Sequence, residues 1–243
     1  GACFNNLSVT NPACTVIRRN SVTGALDGAP DLAPGLFAPL SNLGRLETDG
    51  VDLTMNYTTG LGSFGRLSLG FVGNWTHSSK YQATPTSLNR ECVGFYSVNC
   101  SFTGSIQPEF QFSQRTTLTV GDVDISLLWR FIDSVQYEPA AFADDLAAAI
   151  GAGCADPQGA DPDGCVVNPE FRRIPEEHYF DLTMRFNATD NLAFSIAAMN
   201  LFDNQPTVVG NTVGATTYNS GNVYPSTYDA LGRRFSARAR LKF

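Results

Sequence analysis

Chemistry could enter this 243-residue chain through six cysteines, two histidines, a cluster of aspartates and a basic C-terminal strand. The cysteines fall as Cys3 and Cys14, Cys92 and Cys100, and Cys154 and Cys165. No CxxC occurs, and His77 and His178 stand far from the thiols in sequence, so a metal site is the weaker reading. Six cysteines admit many pairings, but locality selects three short-range disulfides. Such staples suit an oxidising compartment and contribute roughly 2 to 3 kcal/mol each. Two isolated histidines, with neither GxSxG nor HExxH, give no catalytic constellation. Asp144, Asp145, Asp156, Asp161 and Asp163 raise the question of calcium, which wants several oxygen ligands. Their spacing fits no EF-hand loop, and solvation explains them. A net charge of -7 with few lysines excludes a nucleic-acid surface, which would be basic.

The elements that position these residues are strands. From Phe235 to the end, Phe235, Ala237, Ala239, Leu241 and Phe243 alternate with Arg234, Ser236, Arg238, Arg240 and Lys242. One face suits lipid and the other a wet lumen, as in a transmembrane β-barrel. A mean hydropathy of -0.09 is compatible with this, because a barrel wall shows only every second side chain to lipid. No run reaches the roughly 20 apolar residues of a spanning helix; the nearest, from Ala140 to Ala155, is cut by Asp144 and Asp145.

The same alternation recurs over residues 45–59, 65–81, 108–120, 123–137, 176–187 and 191–202, which gives seven strands with the last. Short turns near 60–64, 121–122 and 188–190 alternate with long segments at 82–106, 138–175 and 203–227, as periplasmic turns alternate with extracellular loops. Parity places Asp52, Arg115, Asp124, Arg130, Asp181, Arg185, Arg238 and Arg240 on the lumen side, and Trp75 and Trp129 on the lipid side as wall or interface aromatics. Phe95, Tyr96, Phe142, Phe171 and Tyr218 fall in the loops, where they either stack on a ligand or pack within the loop. NWT at 74–76 and NAT at 187–189 lie in or beside strands and are chance matches to a glycosylation acceptor.

The segments LETDGVDLTMNY (46–57), ISLLWRFIDSV (125–135), MNLFDNQP (199–206) and YPSTYDALGRRFSARARLKF (224–243) resemble the C-terminal part of a TonB-dependent outer-membrane receptor. Gly50-Val51-Asp52, Asn200-Leu201-Phe202-Asp203, and Tyr224-Pro225 through Gly232-Arg233-Arg234 to a terminal Phe stand in that family's order. The resemblance implies an all-β, antiparallel barrel of about 22 strands, plugged by an N-terminal domain. This chain would supply about seven of its strands, from residue 42 to 243, with residues 1–41 as an extracellular loop region.

A fragment or one part of a split receptor is therefore expected, with plug and further strands encoded upstream of Gly1, because seven strands alone leave two unpaired edges in hydrocarbon. The resemblance also implies energy-coupled import of a scarce nutrient such as a ferric siderophore, cobalamin or an oligosaccharide, without bond chemistry and without a cofactor. Its partners would be the remaining strands and plug, the TonB complex, outer-membrane lipid, and a barrel-assembly machinery that reads Phe243. The lumen charges would then hold the plug and one another, or touch ligand. A small self-contained barrel or adhesin would need an eighth strand from residues 1–41, where IRRNSVTGALDG is a poor one. An outer-membrane enzyme would need histidine, serine and aspartate together at the lumen mouth.

Overall fold

The computed structural model describes residues 2–8, 10–20, 22–26, 35–36, 44–100, 105–155, 166–167, 169–210 and 222–242. It divides into two units, Gly1–Leu43 and Gly44–Phe243. In the first, the short helices Ala2–Asn5 and Pro12–Thr15 are joined by the Cys3–Cys14 disulfide, with Cα atoms 4.8 Å apart. Asn11 caps the second helix by accepting from the Ala13 amide at 3.0 Å. Ile17–Arg18 pairs with Gly35–Leu36.

The second unit is built on seven long strands: β1 (Arg45–Gly60), β2 (Arg66–Gln82), β3 (Phe110–Val120), β4 (Val123–Ile132), β5 (Glu177–Asn187), β6 (Leu192–Met199) and β7 (Arg234–Leu241). Each pairs antiparallel with its neighbour in the chain, and β1 and β7 are the two ends of the sheet, which does not close. No helix among the described residues is long and apolar enough to cross a membrane.

The register carries the alternation from strand to strand. Leu127 lies between Thr116 and Leu182, Ile125 between Leu118 and Met184, and Phe194 between Phe186 and Ala239. One face is therefore predominantly apolar, with Gln114 and Thr116 as polar members beside Trp129 and Leu127. The opposite face collects Ser68, Thr117, Ser126 and Thr183 in one row. Both faces remain largely open: Ile125, Leu127, Phe186, Phe194, Ile196 and Phe235 are all exposed. That would be costly in water but is the expected state of a wall whose apolar side is solvated by lipid.

Short turns close one end. Gly121, at φ 56°, forms with Asp122 the two-residue link from β3 to β4, a backbone that favours glycine. At the β5–β6 turn, the Thr189 hydroxyl accepts from the Asn191 and Leu192 amides. The strand expected over 123–137 stops at Ile132, a correction with a local cause. The Asp133 carboxylate accepts from the Ser134 amide at 2.7 Å, and the chain turns off the wall. Val135–Tyr137 then pairs with Arg173–Ile174 and, in parallel, with Phe95–Tyr96.

This three-stranded sheet belongs to a cap that the long connections build at the other end. Its buried core is Tyr96, Ile106, Ile132, Val135, Tyr137, Ala141, Ile174, Tyr179, Val209, Tyr224 and Tyr228. The alanine-rich segment forms the helix Pro139–Gly151 within it, as its high helix propensity and first-turn proline favour.

Candidate functional site

The lumen face changes character along the strands. Towards the short turns, Arg66, Thr119, Asp124, Arg185, Ser195 and Arg238 share one cross-strand row, with Arg240 beside Ala193 in the next inward row. Arg185, Arg238 and Arg240 are exposed and make no ion pair among the described residues. Asp124 accepts from the Thr119 hydroxyl at 2.7 Å, and Arg115 donates to Ser126 at 3.1 Å. This half is strongly cationic.

Towards the cap the charges are paired. Arg130 Nη2 lies 3.4 Å from Asp181 and 3.7 Å from Asp229, while Arg234 grips Asp229 with both terminal nitrogens at 2.8 and 3.0 Å. The Arg130 guanidinium sits 5.1 Å above the Tyr179 ring. Asp181 also accepts from the Asn200 amide at 2.8 Å, and Asp52 from the Asn74 side chain at 2.7 Å. Asp229 belongs to the loop rather than the wall. Burial alone would raise its pKa, but Arg234, the Leu231 amide and Arg130 outweigh burial and hold it below the ordinary value. Of the lumen candidates, the structure thus joins Arg130 with Asp181 and leaves Arg185, Arg238 and Arg240 open. Asp229 and Arg234 complete the cluster and were not among the candidates. Only their five-residue spacing in YDALGRR hinted at them.

The loop aromatics are packed. Tyr96 is fully buried, donates its hydroxyl to the Phe171 carbonyl, and touches Tyr137 and Tyr224 at ring separations of 5.7 and 6.0 Å; burial pushes its pKa up. Phe142 lies under Arg172, whose guanidinium carbon is 4.4 Å from the ring centroid. Phe95 pairs within the cap sheet, and Phe171 ends the 3-10 turn that receives Tyr96. Tyr218 lies outside the described residues.

An ion pair ties the cap helix to the β2–β3 connection. Glu138, just before the helix, accepts from Arg90 at 2.6 Å and from the Ser97 hydroxyl at 2.5 Å. Arg90 reaches Asp144 at 3.3 Å, and Asp145 accepts from Tyr137 at 2.7 Å, so these two aspartates serve packing. Asp156, Asp161 and Asp163 lie outside the described residues, and no metal-binding group is found among the described ones. Cys92–Cys100 is a disulfide with Cα atoms 5.2 Å apart, beside Arg90. Cys154 is also disulfide-bonded, while Cys165 lies outside the described residues, as does Phe243.

On the apolar face at the cap end, aromatic rings form a cluster, with a second pair on β2. Phe112 touches Phe71, Trp129 and Phe131 at centroid distances of 5.4, 4.8 and 5.2 Å. Trp129 stacks on Phe180 and donates its indole N–H to His178 Nδ1 at 3.1 Å. Trp75 sits beside His77. Cluster and pair form an interface girdle, which accounts for both histidines.

A sheet with one lipid-type face, one charged face, an aromatic girdle, short turns at one end and long loops at the other defines an outer-membrane β-barrel wall. No protein-family model and no curated protein matches the chain. Solved structures do. The ferric enterobactin receptor of Pseudomonas aeruginosa, as a variant bound to enterobactin, matches 93% of this chain at 15% identity with a TM-score of 0.51. The ferric-catecholate import receptor Fiu of E. coli K12 and the siderophore receptor PiuA of Acinetobacter baumannii each match 82% at 14% identity, with TM-scores of 0.43 and 0.41. The fold is that of a TonB-dependent outer-membrane receptor barrel. The chain spans 28%, 21% and 22% of those three receptors.

Proposed function

We propose that this chain is part of a TonB-dependent outer-membrane receptor that imports a scarce nutrient by energy-coupled transport. The observation that carries this reading is the two-faced sheet itself. Its seven strands are a wall segment with free edges on β1 and β7, and a segment of this kind functions only when further strands close it. Residues 1–41 would be an extracellular loop region, and the remaining strands and a plug domain would complete the barrel. Arg185, Arg238 and Arg240 offer that plug a cationic surface at the periplasmic end, with Asp124 alongside, while Arg115 and Asp52 would face it nearer the cap. TonB would act through the plug-bearing part, and Phe243 would be read by the barrel-assembly machinery. The three siderophore receptors share the fold at low identity, so their ligands do not by themselves name this one.

The test is uptake by cells expressing the complete receptor with and without TonB. Accumulation that requires TonB and collapses with the proton gradient is expected; passive or TonB-independent uptake would overturn the reading. Phe243→Ala should lower the amount of receptor inserted while leaving ligand bound per inserted receptor unchanged. Normal insertion with impaired binding would contradict the assembly role.

A further inference from the structure

On the apolar face, β5, β6 and β7 enclose a shallow groove of about 490 Å³ lined by Leu182, Met184, Ile196, Ala198, Phe235 and Ala237. The register explains it. Ala198 sits between Leu182 and Phe235, and Ala237, the next outward residue along β7, lies beside Ile196. Two small side chains among larger ones leave a hollow with an almost wholly apolar lining. A strand added at the free edge of β7 pairs through its backbone, so it extends this face without covering it.

The cap end of the groove carries a cation. Arg234 turns inward to Asp229, and alternation turns its neighbour Arg233 outward, two residues along the chain from Phe235. Arg233 is exposed, donates through Nη1 to the Leu201 carbonyl at 3.4 Å, and makes no ion pair among the described residues. It stands at the girdle: the Leu201 amide donates to the Phe180 carbonyl at 2.7 Å, and Phe202 packs edge-on against the Phe180 ring at 5.4 Å. Asp203, the acid beside it, accepts from the Arg233 amide at 2.8 Å and from the Gln205 side chain at 3.2 Å. That carboxylate fixes the Arg233 backbone.

Charge and apolar surface are thus stacked in a definite order. An exposed arginine on its own is satisfied by water, but here an apolar groove leads directly away from it into the part of the wall that hydrocarbon solvates. The occupant that matches both halves carries an anion at the girdle and an alkyl chain below it.

We infer that this groove holds a phosphate-bearing membrane lipid, its phosphate on Arg233 and one acyl chain along Ala198 and Ala237. Arginine suits the headgroup because its planar fork donates two hydrogen bonds to phosphate oxygens. The inference rests on the outer-membrane reading of the wall.

Native mass spectrometry of the complete detergent-solubilised receptor, titrated with dioleoyl phosphatidylglycerol, tests it, with dioleoylglycerol and glycerol 3-phosphate as the two halves taken separately. The whole lipid should bind more tightly than either half. Arg233→Gln should weaken phosphatidylglycerol binding about fivefold and leave dioleoylglycerol unchanged. Ala237→Phe, which fills the groove, should weaken both lipids, and Arg173→Gln, in the cap sheet, neither. Unchanged heat-modifiability of each variant keeps misfolding from imitating the result. Equal binding of the two lipids, glycerol 3-phosphate binding as tightly as the whole lipid, or phosphatidylglycerol binding unaltered by Arg233→Gln overturns the assignment. Any of these alongside TonB-dependent uptake removes the lipid site and leaves the importer reading standing, whereas a receptor without heat-modifiability removes the wall reading itself.

Discussion

The wall and the cap solve opposite problems with one chain. In the wall, hydrogen bonds run between adjacent strands and side chains are left open on both faces; in the cap, backbone pairing is sparse and the side chains close on one another. The most deeply buried large residues, Tyr96, Tyr179, Tyr224, Ile174 and Val135, belong to the cap or its contact with the wall. The wall therefore depends on surroundings that lie outside this chain, whereas the cap carries its own core. Stability should be separable between them.

The sharpest way to separate them is Glu138→Ala. Its carboxylate is almost fully enclosed between Arg90 and Ser97, and removing one partner of such a pair costs about 3 to 5 kcal/mol. Hydrogen exchange should speed up at residues 90–100 and 135–151 and stay slow in β3 to β6. Loss of protection in both regions would show that the cap and wall fold as one unit.

Next comes charge on the lipid face. Leu127→Arg or Phe194→Arg should cost about 2 to 4 kcal/mol near the bilayer midplane, measured by denaturant unfolding in liposomes. Ser195→Glu, facing the lumen between Arg185 and Arg238, should be mild. Ser126 is a poorer control than its parity suggests, because its hydroxyl is bonded to Arg115 and Thr117. Equal damage at positions 194 and 195 would argue for a soluble two-layer core.

Reduction of Cys92–Cys100 should withdraw roughly 2 to 3 kcal/mol from the cap alone. Proteolysis within 83–109 should accelerate while the boiled and unboiled forms still migrate differently. A wall that loses heat-modifiability on reduction would contradict the separation.

The smallest effect is expected from acid. Glu91 is held below its ordinary 4.5 and Asp229 below 3.8, because hydrogen bonds and cations outweigh the upward pull of burial. A depressed carboxylate contributes stability that is present above its unfolded value and lost as pH falls through the folded one. Exchange in the cap should therefore rise below pH 4 before exchange in β3 to β6 does. Glu91→Gln should blunt that response.

The wall was legible in the sequence because period-two alternation is a local signal: seven strands, their partners and their lipid faces follow from it. The cap was not. Arg90 and Glu138 are 48 residues apart and Tyr96 and Phe171 are 75 apart, and no periodicity links such residues. Parity likewise placed Arg130 and Asp181 on one face but had nothing to say of Asp229, a loop residue that meets them only through the return of its chain.

Gly50 carries a consequence of its own. A side chain there would start 2.4 Å from the Trp75 carbonyl, and directly above it the register skips His77, so that Asp49 faces Ser78 and Glu47 faces Lys80. Below that point the outward row is Val51, Leu53 and Met55; above it, the row is polar. One missing methyl group therefore lets two strands close together at the level where the outward row turns from apolar to charged. The change from an apolar to a polar outward row is thus marked in this hairpin by an absence, at a position that hydropathy counts as nearly neutral.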